Sequence, residues 1–269
     1  MKREMRNNMT NQEILKIAME QSAIDLGAEA ADFEKDENVV VLSRASGAER
    51  RYLKLPFTCQ IVSYGNNAVA SVSPAYREIT ESYINRYPVE HLFETPNLHV
   101  LNDALEQMGQ RICFMAEYFL PDVERLLPLD CPYEMRILTQ ADFADLYLPE
   151  WSNALCEDRR HLDVLGIGAY EDGRLIGLAG CSADCDRMWQ IGIDVLPAYR
   201  KQGIASALTS RLAIEILKHG RVPFYCAAWS NVKSVRNAIR SGFRPAWVEM
   251  TAKPIETVDS MNGIQTKDL

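Results

Sequence analysis

Residues 193–208, IDVLPAYRKQGIASAL, hold residue types that can receive a polyphosphate. A strand-like run leaves through Pro197, and Arg200-Lys201-Gln202-Gly203-Ile204-Ala205 then leads into a helix-like run. Gly203 and the small Ala205 let backbone come close to a ligand, and the first N–H groups of a helix have no intrahelical partner. Those donors, with the positive end of the helix dipole, make an anion site. The local charge agrees. Between residues 195 and 248 stand nine basic side chains (Arg200, Lys201, Arg211, Lys218, Arg221, Lys233, Arg236, Arg240 and Arg244) and one acid, Glu215, a balance of +8. Taken alone, R-x-x-G-x-A reads more simply as a solvated helix start. Its surroundings decide otherwise.

The elements that must position this segment are legible from periodicity. Glu134 to Leu138 reads as a strand and residues 140 to 158 as one or two short helices. Strands Val164–Tyr170 and Leu175–Cys181 flank Glu171-Asp172-Gly173-Arg174, whose Asp-Gly pair signals a hairpin. Met188–Leu196 is a further strand, and Gly203–Lys218 carries apolar residues at helical spacing, closed by His219-Gly220. Phe224–Ala228 reads as a strand, Ser234–Arg240 as a helix and Pro245–Met250 as a last strand, with a polar, frayed tail after Pro254.

Upstream, Thr10 and Glu13 form a capping-box signature for a helix to about Gly27. Val39–Leu42, Phe57–Tyr64 and Ala68–Val72 read as strands, with Gly65-Asn66-Asn67 as a turn, and Pro74–Arg86 and Leu98–Met108 as helices. Arg111–Leu120 is a strand or a buried helix end, because short apolar runs are ambiguous by period. Pro121, Pro128 and Pro132 interrupt regular structure, so the expected division is 1–130, an α/β part, and 131–269.

The ordered set of strand, V-L-P exit, R-K-Q-G-I-A, strand, Asn231-Val232-Lys233-Ser234 and Ser241-Gly242-Phe243 resembles the GNAT superfamily of acetyl-CoA-dependent N-acetyltransferases over about residues 133–252. The wider wording, G-R-V-P-F-Y and W-S-N-V-K-S included, looks closest to members with an additional N-terminal domain, such as the zwittermicin A resistance type. The resemblance implies an α/β fold whose mixed sheet, flanked by helices, splays between its fourth and fifth strands to admit the pantetheine arm of acetyl-CoA. It also implies that backbone of Ile193, Asp194 and Val195 pairs with that arm, and that N–H groups from Arg200, Lys201, Gln202, Gly203, Ile204 and Ala205 hold the pyrophosphate. Ser206 stands nearby, and Asn231 contacts the cofactor arm. The leading expectation is acetyl transfer to a primary amine of a small molecule by direct transfer in a ternary complex, with an aminoglycoside-like antibiotic, a polyamine, an amino acid and a protein N-terminus all open as acceptor.

One position departs from the family. Many members carry a tyrosine four residues before the Gly-Phe pair as general acid toward the departing thiolate; here that position is Ala238. Tyr225, Asn231 or a water is left to substitute, or no acid is needed, since a thiol of pKa about 8.5 already leaves tolerably. Asp194 is the candidate base, at even odds with a strand-end carboxylate bonded to backbone or arginine, while Gln190 cannot take a proton. Trp151, Trp189, Trp229 and Trp247 read as acceptor-pocket or, more simply, core residues, and Glu150, Glu157 and Asp158 as an amine lure or a solvated face. A non-catalytic CoA-binding or regulatory module is the alternative function. A nucleotide site ranks last, without a Walker or dinucleotide glycine pattern.

Composition bounds these readings. The 269 residues are 47% hydrophobic and 25% charged, as in globular proteins, with a net charge of −8 that disfavours nucleic-acid partners. The acidity is uneven: residues 1–130 carry 13 basic and 20 acidic side chains, and residues 131–269 carry 16 and 17. No apolar run approaches the roughly 18 residues of a membrane span, and the basic start MKREMRNNMT has no apolar region behind it. Seven cysteines without CxxC spacing fit reduced thiols, and His91, His99, His161 and His219 are scattered, so the expectation is a cytoplasmic protein with no metal. The acidic first part is a candidate homodimer interface or substrate lid. It also echoes the second: VSPAYR at 72–77 matches VLPAYR at 195–200, so one reading makes it a degenerate copy of the same fold that lacks the phosphate cradle.

Overall fold

The computed structural model describes residues 9–264. In chain order the elements are α1 (Asn11–Leu26), β1 (Val39–Leu42), β2 (Cys59–Ser63), β3 (Val69–Val72), α2 (Arg77–Ile84), α3 (Thr95–Glu106), β4 (Gln110–Pro121), β5 (Glu134–Thr139), β6 (Asp163–Glu171) and β7 (Arg174–Ser182). There follow β8 (Met188–Val195), α4 (Ile204–Lys218), β9 (Val222–Ala227), α5 (Val232–Arg240), β10 (Phe243–Pro254) and α6 (Ile255–Met261). The fold is mixed α/β. The Thr10–Glu13 box forms, with Thr10 N donating to Glu13 Oε2 at 2.7 Å and Glu13 N to Thr10 Oγ1 at 3.2 Å.

The chain divides into two compact units, Met1–Ala18 with Tyr118–Ala246 and Met19–Glu117 with Trp247–Leu269. This differs from a single cut at 130. A proline-rich connection interrupts backbone pairing but does not dictate which strands its neighbours join. Residues after the second half return to the first, because β10 pairs with β2 (Val248↔Ser63 to Thr251↔Gln60). The proline stretch itself packs within the first unit: Asp122 N donates to Gly242 O at 2.8 Å, and Ser210 Oγ to Leu127 O.

In the unit holding residues 19–117, β1 runs parallel to β3, β3 antiparallel to β2, and β2 antiparallel to β10. Ile61, Ala70 and Val72 pack with Ile84, Phe93, Leu101 and Leu105, so α2 and α3 cover one face. The parallel partner of β3 is β1, which precedes it in sequence; that of β8 is β9, which follows it. Within this unit lies a closed polar cluster. Arg50 donates to Asp25 of α1 through Nε, to Glu249 of β10 at 2.7 Å and to Tyr52 Oη at 2.8 Å. Gln21 reaches Asp25 at 2.9 Å, while Gln60 and Trp247 reach Glu249 at 3.1 and 2.8 Å.

In the other unit β5, β6, β7 and β8 form an antiparallel series, and β8 joins β9 in parallel. The β6–β7 turn has Asp172 at φ 48° and Gly173 at φ 81°, as the Asp-Gly signal requires. Helix α4, nearly all buried, lies under β6–β8, and Ile204 and Leu208 touch the space beside Gly177. The opposite face carries Phe143, Trp151, Ala154 and Leu155 against Leu178. Phe143 and Trp151 come from 3₁₀ turns (Gln140–Phe143 and Pro149–Trp151), with Ala154 and Leu155 following, where one or two helices were expected; a further 3₁₀ segment, Glu157–Leu162, is kinked at Arg159. Arg111–Leu120 resolves as strand β4, and the last strand is longer than expected, through Pro254. The tail then forms α6, with Val258 buried and Asp259 paired to Arg111 at 2.8 Å, rather than fraying. Residues 1–8 and 265–269 lie outside the described residues.

Replacing Arg50 with methionine keeps volume but strands two buried carboxylates. The expected cost is about 3–5 kcal/mol. Urea unfolding of R50M checks it, and a loss under about 1 kcal/mol would mean the cluster is not closed to water.

Candidate functional site

Strand β8 is paired to β7 from Gln190 to Val195 (Gly177↔Val195 to Ser182↔Gln190), but its parallel register with β9 spans only Met188↔Val222 to Gln190↔Phe224. Among the described residues, then, Ile191–Val195 are paired to β7 and diverge from Tyr225, Cys226 and Ala227. An opening begins at Gln190, whose Nε2 donates to Cys226 Sγ at 3.1 Å across its apex. An extended chain can add to such a strand edge by backbone hydrogen bonds.

Beyond the opening β8 exits through a 3₁₀ turn at Pro197–Tyr199 into the predicted cradle. Arg200 is extended, and its Nε donates back to Val195 O at 2.9 Å. Lys201 has φ 66° and Gly203 φ 83°, so the backbone makes a left-handed detour before α4 begins, while the Arg200 N–H donates to Pro197 O at 3.4 Å. Gly203 is the N-cap of α4, and a Cβ built on it meets nothing within 4 Å. The first helical bond runs from Ala207 N to Gly203 O at 3.1 Å, so Ile204, Ala205 and Ser206 present N–H groups without intrahelical partners. Tyr133 Oη donates to Gln202 Oε1 at 3.0 Å and its ring meets Tyr199 edge-on at 5.8 Å, which steadies the loop. Arg200, Lys201, Gln202 and Gly203 are exposed, and Ile204 and Ser206 are buried.

The structure brings Ile193, Asp194 and Val195 to the open edge and residues 200–206 to its end. Most of the predicted side chains are engaged locally. Ser206 Oγ donates to Asn237 Oδ1 at 3.0 Å, and Asn237 Nδ2 to Thr209 Oγ1 at 3.0 Å, tying α5 to α4. Asn231 caps α5, its Oδ1 accepting from Ser234 N at 3.2 Å. Tyr225 is buried, with its Oη 2.7 Å from Ser234 Oγ and its ring against Phe119 and Phe243. Burial pushes its phenol up, the bonds to Ser234 and Asn237 offsetting only part of that, so it stays protonated at neutral pH. Ala238 is fully buried. Asp194 accepts from Asn153 N at 2.8 Å, Asn153 Nδ2 at 2.7 Å and Ala154 N at 3.0 Å.

Trp151 and Trp247 are core residues, Trp189 stands near His219, and Trp229 is 44% exposed just before Asn231. Glu157 pairs with Arg160 on the surface. Sequence reasoning missed Asn153, Ser234 and Asn237, and gave no role to Gly180 and Gly192. The two glycines sit inside strands, where the residue type itself signals close backbone approach.

With this geometry in hand, the chain can be set beside known proteins. Residues 132–243 match the acetyltransferase (GNAT) family. That segment contains the open edge of β8, the cradle and α5. No curated protein matches the sequence. Solved structures similar to it include a protein of Novosphingobium aromaticivorans assigned to the GNAT family (20% identity, TM-score 0.43, covering 54% of this chain and 66% of that one). A GCN5-related N-acetyltransferase of Kribbella flavida is similar at 16% identity and TM-score 0.44, covering 60% and 64%. The yncA protein of Salmonella typhimurium, solved with its cofactor acetyl-CoA, is similar at 16% identity and TM-score 0.35, covering 52% and 98%. The chain spans slightly under two thirds of the first two of these.

Gly203 tests the cradle. A valine there meets free space but must adopt a left-handed backbone, at a cost of about 1–2 kcal/mol. The expected outcome for G203V is loss of acetyl-CoA binding by calorimetry, with a Tm lower by only a few degrees. Retained binding would show that the loop backbone holds no phosphate.

Proposed function

We propose that the protein is an acetyl-CoA-dependent N-acyltransferase that moves an acetyl group to a primary amine of a small molecule by direct transfer in a ternary complex. The observation that carries this reading is the unpaired edge of Ile191–Val195 running straight into a cradle formed by the left-handed loop and the first N–H groups of α4. Such an edge suits an amide-bearing arm and such a cradle suits a pyrophosphate, and the two are joined in one segment as they must be for a single ligand carrying both. The family match over 132–243 supports it. The N-terminal part, as in the zwittermicin A resistance type, is an additional domain in this reading. The seven free cysteines suit the reduced setting of a cytoplasmic enzyme.

The cofactor, when bound, supplies a thioester whose carbonyl accepts the amine. The chain's own residues then act as follows. Backbone groups of Ile193, Asp194 and Val195 orient the arm, and an N–H of β8 polarises the carbonyl oxygen. Arg200 to Ser206 hold the pyrophosphate. Tyr225, its proton held by burial and its oxygen linked to Ser234, is the proton donor to the leaving sulfur. A second reading, a CoA-binding module without catalysis, is favoured by Ala238 and by the occupied carboxylate of Asp194.

Calorimetry with acetyl-CoA comes first, with sub-millimolar binding expected and its absence counting against both readings. Thiol release with a panel of primary amines then separates them. The acceptor must be neutral, so kcat/KM is expected to rise with pH toward the acceptor amine's own pKa. The raised phenol of Tyr225 places any loss from its ionisation above its usual pKa of about 10. Y225F is expected to lower kcat by about 10²-fold, the low end for a general acid. An unchanged kcat would exclude Tyr225.

A further inference from the structure

The carboxylate of Asp194 does something its place on the open strand did not require: both oxygens are spent on residues 153 and 154. Asn153 N and Ala154 N donate to Oδ2, and Asn153 Nδ2 to Oδ1. The sheet beneath is cleared for the same two residues. A Cβ on Gly192, two positions before Asp194 on the same face, would lie 1.8 Å from the Asn153 carbonyl oxygen. Its register partner Gly180 would bring a Cβ within 2.2 Å of the Ala154 carbonyl oxygen. Two strand glycines cost sheet propensity, and a lone fix of loop position would not need them and a carboxylate together. Trp151, Ala154 and Leu155, all buried, anchor the same segment. It crosses β7 and β8 on the face away from α4.

We propose that Asp194 is a positioning residue: its carboxylate latches residues 149–155 across β8 and so builds the acceptor-side wall of the opening. The inference rests on reading that opening as the acyl-donor site. Oδ2 holds two backbone N–H groups and Oδ1 one side-chain N–H, so three of the roughly four acceptor sites of the carboxylate serve this segment. Held in place, the wall keeps water from the thioester. Released, it lets a water oxygen bond to the acetyl carbon as the C–S bond breaks, one water proton going to the sulfur and the other to solvent, giving acetate and the thiol.

Hydrogen exchange on the full chain without acetyl-CoA tests the latch. In D194A the amides of Asn153 and Ala154 are expected to exchange faster by about tenfold or more, whereas N153A, which keeps both backbone bonds, changes them by less than about threefold. Amine-free thiol release from acetyl-CoA is then expected to rise several-fold in D194A over the wild type. Should D194A fail to fold, D194N, of equal volume with one acceptor oxygen, is expected to show a smaller increase in both. Unchanged exchange overturns the latch, and a fall in amine-free release overturns the wall, making Asp194 a participant in the chemistry. Wild-type protein that shows the exchange pattern but binds no acetyl-CoA would instead overturn the acyl-donor reading on which the wall depends.

Discussion

The parallel register of β8 with β9 ends at Gln190↔Phe224 while both strands continue, and the rest of the unit is arranged around that early end. Unpaired strand groups are costly away from water and a hazard in contact with it. The cost is tolerable only if β8 stays fixed without its second neighbour. Three restraints do this: continuous pairing to β7 on the other edge, α4 under one face, and residues 149–155 fastened over the other through Asp194. Remove the neighbour and keep the strand rigid, and the result is a fixed, open strand edge, the feature on which the proposed acyl-donor site rests.

Charge along α4 is sorted to match. Glu215 pairs with both Arg211 and Lys218 at 3.0 Å each, so its single negative charge is shared between two of the nine cations of the basic segment. At the other end Arg200 and Lys201 are exposed beside the helix N-terminus, where the dipole adds to their field. A sum of +8 over residues 195–248 already counts Glu215, which stands near the C-terminal end of the helix, away from Arg200 and Lys201.

The loop conformation and helix start at 200–204 were legible because their determinants are local: a glycine at positive φ and a helix start follow from residue type at fixed spacing. Strands, the Asp-Gly turn and the Thr10 cap were legible for the same reason. What escaped is set by contacts distant in sequence. The turns at 140–162 fold as they do because Trp151 and Ala154 must lie on Leu178, and β10 belongs with β2 because Val248 finds Ser63, neither of which a local period encodes. Asp194 shows the boundary well. Its type announced chemistry, yet the partners that occupy it lie forty residues upstream.

The internal echo makes the same point by comparison. VSPAYR and VLPAYR each follow a strand and form a 3₁₀ turn on Pro-Ala-Tyr, closed by Tyr76 N to Ser73 O at 3.0 Å and Tyr199 N to Leu196 O at 2.9 Å. They part at the arginine. Arg77 is helical (φ −58°, ψ −54°) and α2 starts on it, with an acid, Glu78, in its first turn. Arg200 is extended (φ −68°, ψ 159°), and Lys201 and Gly203 take positive φ before α4 starts. Six nearly identical residues thus lead into a plain helix in one place and into a left-handed detour in the other. The difference is Lys201-Gln202-Gly203, interposed between turn and helix, and a glycine is the residue that can close such a detour at φ 83°. The strand, the proline and the arginine deliver the chain in both places; the backbone differs in the three residues that delay the helix.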